Sequence, residues 1–169
     1  CRNSVDSTYA ANLERVSQHH TTLPKDWTAT GADREATLEL YQTFREGTPD
    51  EVGDAIIEAL QNKSVKAGSV WDAISLTAAD LIFRFETGGG VIGGNLIHAI
   101  TSTNAMRFGY HLQAVPRKRL MILLQAAAIL PSFFLRWPRE EGKLRAMNLV
   151  EDLKQSSVTP TADIDGVFQ

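Results

Sequence analysis

The sequence predicts an all-α fold, an irregular bundle of six or seven helices. Three observations predict it. Apolar residues recur three and four apart through nearly every long segment, the spacing of one helix face. The breaks between these segments carry helix-end chemistry, with Thr or Ser before a segment and Gly or Pro after it. No span alternates apolar and polar residues between turn residues, so no strand is expected. The chain also lacks an internal repeat, which favours a bundle over a stacked array of helix pairs.

The first helix is expected over residues 7–21, with Ala10, Leu13 and Val16 as its apolar stripe. Leu23-Pro24 ends it, because the residue before a proline is pushed out of the α region. Residues 24–31 read as a connector holding Trp27. A second helix is expected over 32–46, burying Leu38, Leu40, Tyr41 and Phe44, and stopping at Gly47. Thr48-Pro49-Asp50-Glu51 is the clearest local signature: Thr48 as cap, Pro49 at the first helical position, Glu51 closing a capping box. Val52, Ile56, Ile57 and Leu60 then form a stripe. Residues 62–68 read as a turn, and Ser69 as the cap of a helix over 69–86. That helix is apolar nearly all round, with Val70, Trp71, Ile74, Leu76, Ala78, Leu81, Ile82, Phe83 and Phe85, so it belongs inside a bundle.

A glycine-rich break at 87–94 precedes a helix over 95–110. Pro116 opens the next helix, expected to end at Leu130 before Pro131. Its apolar run is shorter than the roughly 20 residues of a membrane span and is interrupted by Gln125. Phe133, Phe134 and Trp137 continue the apolar surface. A last amphipathic helix is expected over 139–155, and 156–169 reads as an extended tail. The domain organisation is therefore one helical domain over 1–155, as a whole or as a piece of a larger helical protein, with a C-terminal tail.

Composition narrows the function classes. The chain has 169 residues, is 43% hydrophobic and 22% charged, enough for a real core. With 17 basic and 20 acidic residues it lacks the surplus a general nucleic-acid binder needs. One Cys excludes a disulfide framework and a Cys-rich zinc module. Low cysteine use agrees with a cytoplasmic location. Cys1 as first residue reads as a fragment or internal start; a lipidated mature terminus, which would place the chain at the cell envelope, or a self-cleaved nucleophile would begin in the same way.

The chemistry-bearing segments follow. Residues 87–94 resemble a phosphate cradle in composition, but they match neither a dinucleotide fingerprint nor a P-loop, and a connector explains them as well. On the 95–110 helix, His98, Thr101, Ser102, Ala105 and Gly109 share one small, polar face, beside a face of Ile97, Ile100, Asn104 and Phe108. An inward-facing His98 among hydroxyls can orient a ligand, move a proton or bind a metal. The same pattern also describes a core histidine on a helix that another helix approaches closely, with hydroxyls bonded back to their own backbone. Asp80 sits on an apolar helix, where a carboxylate needs a partner: Arg84 four residues on, or His98 or Arg107 across helices. His19 and His20 point to different faces and make poor joint ligands. Arg117-Lys118-Arg119 sits at a helix N-terminus, against the dipole, which points to an anionic partner or a solvated turn.

Three stretches, Ala55-Ile56-Ile57-Glu58-Ala59-Leu60, Ser69-Val70-Trp71-Asp72-Ala73-Ile74 and Leu96-Ile97-His98-Ala99-Ile100-Thr101-Ser102, resemble the questin oxidase-like family and related uncharacterised bacterial helical proteins, over residues 54–134. The resemblance implies an oxidoreductase performing a Baeyer–Villiger-type oxygenation of a polyketide quinone with NADPH. It implies His98 and Thr101 as the catalytic pair, and Ser102, Asn104 and Asp80 are expected to contact a small-molecule substrate. The competing expectation is a non-catalytic helical interaction module, or a processed subunit, that packs the small-residue face of the 95–110 helix against another chain.

Overall fold

The computed structural model describes residues 2–84 and 94–136. Among them run six α-helices and no strand: α1 (Arg2–His19), α2 (Arg34–Glu46), α3 (Pro49–Gln61), α4 (Ala67–Arg84), α5 (Gly94–Leu112) and α6 (Pro116–Arg136). The all-α bundle expected from the sequence is the fold of the described chain. Cys1, the glycine break up to residue 93, the 139–155 helix and the 156–169 tail lie outside the described residues, as do Trp137 and the side chains of Phe133 and Phe134. No described helix is long and apolar enough to cross a membrane.

Helix α6 is the axle, packing against all five other helices. Its run of apolar residues puts Leu120, Leu123, Leu124 and Leu130 in full burial, against Phe44 of α2, Ile56 and Leu60 of α3, and Ile74 and Leu81 of α4. The helix does not end at Pro131 as expected but continues to Arg136. Proline inside a helix removes one N–H bond and crowds the carbonyl four residues back, a cost of about 3 kcal/mol. The burial of Leu130 and Pro131 in the core offsets that cost.

Local chemistry sets the other ends. Asp33 caps α2, its carboxylate accepting from the N–H groups of Glu35 at 2.9 Å and Ala36 at 3.1 Å. The capping box at α3 forms in both directions, Glu51 N–H donating to Thr48 Oγ1 and Thr48 N–H donating to Glu51 Oε2 at 2.7 Å. Ser69 does not cap α4. The helix starts two residues earlier, because Ala67 N–H donates to Trp27 C=O at 2.8 Å and the Ser69 hydroxyl accepts from Asp33 N–H at 2.7 Å. The connector thereby lies across the start of α4, so close that a Cβ on Gly68 would sit 2.7 Å from Gly31 O. Trp27, expected in that connector, is buried and meets the Tyr110 ring edge-on, as does Trp71.

The stripe of α1 also differs from expectation. Ala10 and Leu13 are exposed, and Asn12 and Val16 face inward. A polar anchor replaces apolar burial here: Arg15 donates to Asp54 at 2.7 Å, to Asp50 at 3.2 Å and to Asn12 Oδ1 at 3.1 Å. That network fixes the rotation of α1 on α3, with the guanidinium lying over Gly53.

Candidate functional site: the outer face of α5

The helix expected to carry a site is present, and its orientation reverses the expected picture. Ala99, Thr103 and Tyr110 form the inward stripe of α5, which packs mainly on α4 and α6. His98, Thr101, Asn104 and Ala105 are exposed, and Ser102 and Gly109 half-exposed. The inward-facing imidazole is thus corrected. With two strong neighbours among the described helices, α5 buries one stripe, and Thr101, about 200° round from both Ala99 and Thr103, lies opposite it. The hydroxyls bond to their own backbone: Thr101 to Ile97 C=O at 2.9 Å, Ser102 to His98 C=O, and Thr103 to Ala99 C=O at 2.6 Å. These are the intrahelical bonds of the alternative reading.

Asp80 is buried to 0% exposure, as the apolar setting of α4 required. Across helices it pairs with Arg45 of α2, with Nε 3.6 Å from the carboxylate. Arg45 also lies over the Tyr41 ring at 5.4 Å. The pair ties α2 to α4 and stands apart from α5. Arg107 instead donates to Ser75 Oγ at 3.3 Å and faces Asp72 at 4.0 Å. His19 and His20 diverge as expected, one to Gln61 Oε1 and one to Val16 C=O. Among the described residues no group of three His, Cys, Asp or Glu is arranged to hold a metal.

What α5 does bring together is an apolar stripe on its outside. Ile97, Phe108 and Leu112 are 49%, 67% and 71% exposed, and Val115 in the following turn continues the row. Thr101, Ala105 and Gly109 run beside it at four-residue intervals, and a Cβ placed on Gly109 would meet nothing within 4 Å. Small residues flanked by large apolar ones make a shallow trough along a helix. At its lower end stand Arg117 and Lys118, both exposed. Arg119 is held differently, its guanidinium 5.3 Å from the Tyr110 ring centre and bonded to Gln113 C=O. Burial pushes the Tyr110 phenol up to about 12 despite that nearby cation.

The charge carried by α5 and α6 themselves is one-sided. Residues 94–136 contain five Arg or Lys and no Asp or Glu, in a chain whose formal net charge is −3. Sequence reasoning singled out Phe108 and the Arg117-Lys118-Arg119 cluster but did not join them to Leu112 and Val115. The missing carboxylates and the row 97, 101, 108, 112 were the signal that could have done so.

No protein-family model, curated protein or solved structure matches this chain.

Proposed function

We propose that this chain is a helical interaction module, and that the outer face of α5 docks an acidic amphipathic helix of another protein. The observation that carries the reading is the exposed row of Ile97, Phe108 and Leu112 beside open Gly109. A soluble surface scatters large apolar side chains singly; a row of them at helical spacing is a recognition pattern for a helix laid alongside. Gly109 and Ala105 let the partner backbone approach, and Phe108 and Leu112 supply buried area. The exposed cations at 117 and 118, with no carboxylate between 94 and 136, select an acidic partner and disfavour a second copy of this face.

The oxidoreductase reading implied by the questin oxidase-like resemblance needs His98 and Thr101 to border an enclosed substrate site. Exposure of both supports the docking reading instead.

The test is fluorescence anisotropy with a labelled designed helix carrying Leu at i, i+3, i+4 and i+7 and Glu on its flanks. Binding is expected to weaken at least tenfold in Phe108→Ser/Leu112→Ser, and to weaken with added salt or in Arg117→Glu/Lys118→Glu. Equal binding by wild type and the double serine variant would overturn the proposal. So would sedimentation of the free chain as a tight dimer that the same variant dissociates.

A further inference from the structure

On the other side of α5 lies a cavity of about 240 Å³, where α1, α3, α5 and α6 meet. Pro49, Met106, Ala128 and Ile129 give it apolar walls, Thr8 and the exposed Ser132 add hydroxyl side chains to its lining, and Gln125 reaches it from the middle of α6. Gln125 is the residue that interrupts the apolar run of that helix. Its Nε2 is buried and has no hydrogen-bond partner in the protein. A buried amide N–H left unpaired is costly, and Leu or Met at this position would avoid the cost. The neighbouring stripe of α1 repeats the pattern. Asn12 is wholly buried, its Oδ1 accepts from Arg15, and its Nδ2 is also without a partner. The bond from Arg15 fixes which end of that amide is the oxygen, so the unpaired group is a donor.

We infer that this cavity is a binding site for a small neutral molecule with an apolar body and one carbonyl oxygen, which accepts from Gln125 Nε2. The donor sets the polar group: an N–H asks for an acceptor. Among the described residues that line the cavity no side chain is charged, so against these walls a carboxylate or an ammonium would be desolvated without compensation. The size sets the body. A cavity of about 150 Å³ holds benzene, so this one takes a single ring with a short acyl group. Met106 contributes a polarisable, adaptable wall suited to an aromatic face. The site is independent of the docking face, since Met106 lies roughly 200° round the helix from Phe108.

Acetophenone and α-methylstyrene separate this from a cavity filled by water alone, because they share a shape and differ in the carbonyl oxygen. The three methionines of the chain allow binding to be followed by 13C-methyl NMR, with the Met106 signal assigned through Met106→Leu. Acetophenone is expected to shift that signal saturably at millimolar concentration or below, and α-methylstyrene to bind at least fivefold more weakly. In Gln125→Leu the preference is expected to vanish or reverse while the apolar compound still binds. The absence of a saturable shift with acetophenone in the wild-type protein would overturn the inference. Equal affinity for the two compounds in wild type, or an unchanged preference in Gln125→Leu, would do the same. The wild-type comparison decides the matter even where the variant folds poorly.

Discussion

Helices α5 and α6 form one hairpin, joined by the short turn at residues 113–115, yet they live in different surroundings. Both are long and apolar. Helix α6 touches every other helix of the bundle and buries a broad face over Leu120 to Leu130, with Met121, Ile122, Gln125 and Ile129 half-buried, whereas α5 packs mainly on α4 and α6 and leaves Phe108 and Leu112 exposed. The lesson is that apolar composition states only that a helix has something to cover. The number of neighbouring helices decides how much of it the described bundle covers.

The contrast can be broken most directly by truncation. Leu123→Ala on α6 is expected to lose roughly 2–5 kcal/mol, because a fully buried leucine leaves a cavity that the core fills poorly. Leu112→Ala on α5 is expected to stay within about 0.5 kcal/mol of wild type. Urea unfolding of the two proteins checks both, and equal losses would show that α5 is covered in solution.

The two cross-helix arginines sharpen the same comparison. Arg45→Met removes one charged partner of a wholly buried Asp80 and is expected to cost on the order of 3 kcal/mol. Arg107→Met removes a half-exposed contact at 4.0 Å and is expected to cost less than about 1 kcal/mol. Thermal unfolding at fixed pH ranks them, and the reverse order would contradict the assignment of the inner and outer faces.

Tyr110 stands on the inner stripe of α5, so its ionisation reports whether that stripe stays dry. Its phenol is raised from 10.0 to about 12 by burial, so the neutral form is the one the fold favours. Stability is therefore expected to be fully present below about pH 10 and to fall as pH rises from there through about 12. Absorbance at 295 nm and circular dichroism should lose their late titration and alkaline transition together in Tyr110→Phe. A phenol that titrates near its ordinary value in the folded protein would mean that water reaches the α4–α5 seam.

The smallest expected effect falls on the residue the sequence made most prominent. His98→Ala should change stability by less than about 0.5 kcal/mol, since the ring packs against nothing that its loss would leave as a cavity. A loss of several kcal/mol in guanidinium unfolding would restore the reading of His98 as a core residue.

Much of the fold was legible because it is written in local chemistry. Thr48 and Glu51 form the capping box their spacing announced. Val52, Ile56, Ile57 and Leu60 bury as the stripe they spell, and the burial of Asp80 followed from the apolar helix around it. The candidate site was less legible. His98, Thr101 and Ser102 share a face in any helix, but nothing within twenty residues states whether that face meets α4 or water. Asp80 likewise needs a partner in any fold, yet Arg45 lies thirty-five positions before it.

The order of helices, most of their ends and the apolar character of α4 and α6 were settled by the chain alone, since capping, proline geometry and periodicity act over one or two turns. The outward turn of α5, the continuation of α6 through Pro131, the choice of Arg45 for Asp80 and the cavity beside Gln125 were settled only by packing. Each depends on which helices become neighbours, and that choice minimises exposed apolar area over the whole bundle rather than over any one segment.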